Sequence, residues 1–90
     1  MTVYVTLTVD LNGNVPPNSR AKFNEYLKEK HFTKHKLTTL WTAQFVPNTT
    51  IDGAITFTKA TVAAAARHAG IANFEALVMP GEQAPTEWRQ

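Results

Sequence analysis

The segment Thr2-Val3-Tyr4-Val5-Thr6-Leu7-Thr8-Val9-Asp10 alternates apolar residues with polar or aromatic ones without a break. Successive side chains of an extended chain leave opposite faces, so Val3, Val5, Leu7 and Val9 share one face while Tyr4, Thr6 and Thr8 share the other. The period predicts a half-buried strand, and its apolar face requires a covering layer. Asp10 closes the run and opens the turn Leu11-Asn12-Gly13-Asn14.

Downstream, Pro16-Pro17-Asn18-Ser19 offers a helix start, with Asn18 or Ser19 as the side chain that accepts from unpaired first-turn amides. Phe23, Tyr26, Leu27 and Lys30 mark one helical stripe, which fades near His31 to Lys34. Lys36 to Val46 is rich in threonine, aromatic and β-branched residues and predicts a second strand, with Leu37, Thr39, Trp41, Ala43 and Phe45 on one side. Trp41 and Phe45 are thereby core groups rather than a platform for stacking bases. Pro47-Asn48-Thr49-Thr50 interrupts this strand, and Asp52-Gly53 precedes a short third strand, Ala54 to Thr58. A helix over Ala60 to Ala69 follows, with Val62, Ala65, Ala66 and Ala69 at buried spacing, Thr58 or Thr61 as its cap and Gly70 as its left-handed stop. Ile71 to Met79 is the last strand, and Pro80, Gly81 and Pro85 mark a tail.

The order is βαββαβ. Both helical stripes are buried most simply against one face of an antiparallel sheet, with right-handed crossovers. The expectation is an α+β, ferredoxin-like sandwich: a four-stranded antiparallel sheet with two helices on one face. A single domain covers residues 1–80, with residues 81–90 as a C-terminal tail in which Trp88 can anchor to its own domain or to a partner. The uncovered sheet face would carry Tyr4, Thr6, Thr8, Thr38, Leu40, Thr42, Gln44, Thr56 and Thr58, with Leu77 and Met79 added by the last strand. Such a face can sit in water or pack against a second copy of the chain, and a homodimer is expected.

Ninety residues, 43% of them hydrophobic and 18% charged, suit one small core and leave no room for a second. The absence of cysteine excludes disulfides and thiolate zinc sites. No cationic leader with an apolar stretch and no membrane-length apolar run is found, so a soluble, cytoplasmic chain without membrane contact is expected. The net charge of +2 is unevenly spread: Arg20 to Lys36 holds six cations against two acids, a formal +4, and the rest sums to −2. A cationic strip of Arg20, Lys22, Lys28 and Lys30 attracts phosphates through counterion release, although surface lysines also serve solubility alone.

Asp10 has two readings: a turn-former bonded to nearby amides, or a carboxylate that meets its symmetry copy to hold Mg2+ beside a phosphate. His31 and His35 have the i,i+4 spacing of a pair of metal ligands, but no third ligand accompanies them, and they read as polar groups around a helix end. Arg67 and His68 offset the negative end of the second helix, and His68 is also a candidate proton-transfer group. No nucleophile elbow, glycine-rich phosphate loop or assembled triad is present. The RNA-recognition module shares the element order, yet Tyr4 lacks the matching aromatic pair on the third strand.

The first strand ending in Asp10, the basic helix and Leu37 to Phe45 resemble the small ferredoxin-fold nucleases and their noncatalytic relatives. These include the CRISPR adaptation subunit, whose first strand ends in aspartate, and GhoS-type antitoxin endoribonucleases; the likeness to the latter extends over Ile55 to Met79. The resemblance implies a metal-holding role for Asp10 in a dimer, and its usual arginine-rich helix is matched only in part by Arg20, Lys22, Lys28 and Lys30. The functional expectation is a small dimeric protein that binds RNA or DNA, with antitoxin-like endoribonuclease activity as its catalytic form and Asp10 and His68 as the candidate catalytic residues. The alternative is a noncatalytic module that binds a protein partner through the open sheet face.

Overall fold

In a computed structural model that describes residues 2–11, 15–35, 39–84 and 86, the leading strand β1 spans Tyr4–Asp10 and lies in the middle of the sheet. Its burial alternates as the sequence requires, with Val5 and Leu7 fully enclosed and Thr6 and Thr8 half-buried on the other side. Helix α1 spans Pro17–Glu29, β2 Thr33–Lys34, β3 Leu40–Gln44, helix α2 Ile51–Ala69 and β4 Glu75–Gly81. The strand order is β2-β3-β1-β4, every pairing is antiparallel, and the two helices complete the ferredoxin-like βαββαβ arrangement.

The element order matches the sequence reading, but two strands lie elsewhere, and the last one begins at Glu75 instead of Ile71 and continues through Pro80 and Gly81, which pair with Val5 and Tyr4 rather than opening a tail. Ala54 to Thr58 is helix, not strand. Thr50 is the N-cap, its hydroxyl accepting from the Gly53 amide at 2.9 Å, and Asp52 places an acid in the first turn. From there the buried positions Ala54, Thr58, Thr61, Val62, Ala65, Ala66 and Ala69 recur at helical spacing through one 19-residue element. Tertiary burial of that continuous stripe overrides the β-propensity of Ile55, Thr56, Phe57 and Thr58. Thr58 and Thr61 therefore sit inside the helix rather than capping it, and neither Thr56 nor Thr58 belongs to the open sheet face.

The second correction follows from the first. The hairpin is formed by β2 and β3, with Thr33 opposite Thr42 and Lys34 opposite Trp41, so the expected strand Lys36 to Val46 is shorter and starts at Leu40. The expected Lys36, Leu37 and Thr38, the Asn12-Gly13-Asn14 turn and Trp88 lie outside the described residues. At the start of α1, Pro16 is the N-cap without a side-chain bond and Pro17 occupies the first turn, so Asn18 and Ser19 fall within the helix. Proline suits that place because its fixed φ is already helical and its missing N–H costs no hydrogen bond.

Both helices stop in the same way. In α2, Gly70 adopts φ 72°, its amide donates to the Arg67 carbonyl, and the Ile71 amide donates to Ala66. In α1, His31 takes φ 71°, its amide donates to Lys28, and the Phe32 amide donates to Leu27, each at 3.0 Å. This is the Schellman pattern, in which the left-handed residue is usually glycine.

The core lies between the sheet and the helices: Val3, Val5, Leu7, Val9 and Trp41 meet Phe23 and Leu27 of α1 and the alanine-rich stripe of α2. Phe32 and Ile71, just past the two helix stops, are buried with them. Thr61 donates to the Phe57 carbonyl at 2.7 Å, whereas the fully buried Thr58 hydroxyl has no hydrogen-bond partner among the described residues.

Candidate functional site

The cations expected to form one strip are divided by the helix that carries them. At roughly 100° per residue, Arg20 and Lys28 lie about 80° apart on one flank of α1, Lys22 lies about 120–160° from both, and Lys30 lies about 80° from Arg20 on the side away from Lys28. The first pair converges with Lys34 of β2. Burial, then the charges of Lys28 and Arg20, hold the Lys34 ammonium below its ordinary pKa of 10.5. Its Nζ lies 5.4 Å from the centre of the Trp41 ring, across the β2–β3 pair. Lys34 was legible only as part of the general positive charge, because its partners became visible once β2 was placed beside α1.

Lys30 faces differently, with its Nζ 5.6 Å from the Tyr26 ring centre. Tyr26 in turn packs against His68 of α2, ring centres 5.7 Å apart. His68 is exposed in the last turn of α2, on the helical layer, while Asp10 follows the parity of Thr6 and Thr8 on the opposite face of the sheet. The fold thus separates the two candidate catalytic residues by the thickness of the sheet.

The open face is set by register. Thr33, Thr42, Thr6 and Met79 form one row across the four strands, and Leu40, Thr8 and Leu77 form the next. Leu77 and Met79 are 61% and 65% exposed, and Leu40 and Tyr4 are half-buried beside them. His35 closes the β2 end, its Nε2 2.7 Å from the Thr42 hydroxyl oxygen. His31 and His35 therefore do not share a helix face: one stands in the α1 stop, the other at the end of β2.

At the tip of this face Asp10 pairs directly with Glu75 of β4. The sequence reading had no second acid near Asp10; the signal was the parity that Glu75 shares with Leu77 and Met79. Two exposed carboxylates are a donor set that a largely hydrated magnesium ion accepts, but no group of three or more histidine, cysteine, aspartate or glutamate side chains is placed to hold a metal among the described residues.

At the other end of the sandwich Phe57 stacks parallel to Phe32 at 6.5 Å and meets Phe45 edge-on at 5.8 Å. The rings border a cavity of about 370 Å³ whose other walls include Lys30, His31 and Gln44. Phe57 is 44% exposed there. Reading residues 54–58 as a strand hid this arrangement, since only the helix brings Phe57 over Phe32 and Phe45.

No helix among the described residues is long and apolar enough to cross a membrane. Compared with protein-family models, curated proteins and solved structures, the chain has no match.

Proposed function

We propose that this protein is a small nucleic-acid-binding domain whose phosphate contacts are made at the edge shared by α1 and β2. The observation that carries the reading is the placement of β2 against α1, which brings Lys34 to the helix that carries Arg20 and Lys28; after burial, the charges of those two are what lower its pKa. Like charges held together raise the local potential, and an anionic backbone relieves their repulsion while releasing its own counterions. A polyanion fits this edge better than a single small anion, because the cations come from two separate elements, Arg20 and Lys28 exposed on α1 and Lys34 half-buried over Trp41 on β2. Endonuclease chemistry is not part of this reading, since Asp10 and His68 stand on opposite layers.

Fluorescence anisotropy with labelled RNA and DNA, single-stranded and duplex, at stepped salt concentrations tests it. Replacing Arg20, Lys28 and Lys34 by glutamine is expected to reduce the dependence of log K on log salt by about 2 for single strands and nearly 3 for duplexes. Lys22→Gln, on the other flank, should change the slope by less. Failure of the native protein to bind any of these probes at low salt would refute the proposal.

A second reading, assembly through the open sheet face, is favoured by the exposure of Leu77 and Met79 on adjacent rows. In this reading a second copy or a protein partner covers the face. Sedimentation velocity over a range of concentrations tests the homodimer, and Leu77→Lys should shift any dimer toward monomer. A wild-type chain that stays monomeric and captures no protein would remove it.

A further inference from the structure

We infer that the aromatic cavity at the end of the sandwich binds an unpaired nucleobase, with the adjoining phosphate held at Lys30 and His31. The inference rests on the nucleic-acid reading and names its substrate class: single-stranded rather than duplex nucleic acid. Its first support is the exposure of Phe57. Phe32 and Phe45 already fix this ring on two sides, so it is a rigid platform, and its remaining surface faces the cavity with nearly half the residue open. Every nucleobase has a flat π-face that stacks on such a ring, and bases of a duplex are not available to do so.

The second support is chemical complementarity around the ring. Lys30 and His31 border the cavity, and the imidazole can donate to or accept from a phosphate or a base edge. Lys30 rests over Tyr26, but its long chain allows the ammonium to move to a phosphate without disturbing the helix. Apolar walls with a lysine ammonium and an imidazole at the border suit a ligand that is flat and weakly polar at one end and anionic at the other. A nucleotide unit has that character, whereas an aliphatic peptide side chain lacks the anion.

The third support is the identity of residue 31. The same chain ends two helices with the same hydrogen-bond pattern, placing Gly70 at the left-handed position of α2 and His31 at the equivalent position of α1. Glycine meets no steric penalty at φ 71°, while histidine carries a Cβ that does. The retained imidazole stands on the cavity wall. Strain kept at one helix end and avoided at the other marks a side chain held for what it contacts.

The segment from Lys28 to Lys34 joins this cavity to the cationic edge, because it supplies Lys30 and His31 to one and Lys28 and Lys34 to the other. A single strand can then lie along the edge and insert one base at the end.

The test uses the full chain with a labelled single-stranded RNA of about eight nucleotides, the matching blunt duplex and an abasic strand of the same length. Phe57→Ala is expected to weaken single-strand binding at least about fivefold and to leave duplex and abasic binding unchanged. Phe57→Leu keeps apolar bulk beside Phe32 and Phe45 while removing the π-face, and it should show the same selective loss with the melting temperature closer to wild type. His31→Gly should move two readouts in opposite directions, raising the melting temperature and weakening single-strand binding. Equal affinity for all three probes, or undiminished single-strand binding by both Phe57 variants, would overturn the inference while leaving the cationic-edge reading intact. Absence of binding to every probe at low salt would overturn both.

Discussion

Adjacent residues of β1 give the sharpest test of the architecture, because Val5 and Thr6 differ by one position along the chain and by a whole layer in space. Val5 is fully buried, between Ala43 and Pro80 in the register; Thr6 stands between Thr42 and Met79 on the open face. Val5→Asp forfeits the burial of a valine side chain, about 1.5–3 kcal/mol. It also puts a carboxylate among Leu7, Phe23 and Leu27, where neither form of the acid finds water, a further loss of several kcal/mol. A domain of this size has about 5–13 kcal/mol of total stability at the usual 0.05–0.15 per residue, so the substitution removes most of it. Thr6→Asp loses little more than β-propensity, about 1 kcal/mol, and should lower the melting temperature by about 4–8 °C. Far-UV circular dichroism melts and urea titrations of the three proteins give the comparison. Equal losses for both variants, at a concentration where sedimentation shows the monomer, would refute the register.

Thr58→Val keeps the shape of a buried side chain and removes a hydroxyl without a partner, so it should raise stability by about 1–3 kcal/mol in a urea titration. Asp10→Asn removes one of two carboxylates directly opposed across β1 and β4 and should raise the melting temperature at low salt, an increase that added salt should abolish; any metal-dependent RNA cleavage that survived it would exclude Asp10 from catalysis. Replacing Arg20 and Lys28 by glutamine should bring the Lys34 pKa back up toward 10.5, as followed by 13C NMR of its ε-carbon. Since the folded chain releases the Lys34 proton before the unfolded chain does, this residue makes stability rise with pH from its depressed value up to 10.5, and the rise should shrink in that double variant.

The central strand was legible because its two-residue period has one physical meaning over nine positions, and the stop at Gly70 was legible from local backbone chemistry; the first helix was expected only to fade near His31 to Lys34, since histidine gives no sign of a left-handed stop. Ala54 to Thr58 misleads because β-branched and aromatic residues favour a strand locally, while the alanine stripe that makes them helical extends a further eleven residues along the chain. Thr50 was the available signal: a hydroxyl three residues before Gly53 can cap a helix as readily as it can shape a turn. The candidate site was less legible than the fold, since charge counts along a helix do not state which flank each cation occupies. Lys34 joined Arg20 and Lys28, and Glu75 joined Asp10, only through strand pairing.

The outer strands of the sheet have a consequence for how this chain behaves when crowded. β2 is only two residues long and carries Lys34, while β4 contains Pro80, which cannot serve in a ladder bonded on both sides. β2 is too short to offer the long, regular row of free amides and carbonyls on which a further strand could template itself, and in the seven-residue β4 that row is interrupted at Pro80. Edge-to-edge growth is thereby disfavoured at both margins, since a ribbon continued across copies of this protein would meet a two-residue strand on one side and a missing amide at Pro80 on the other.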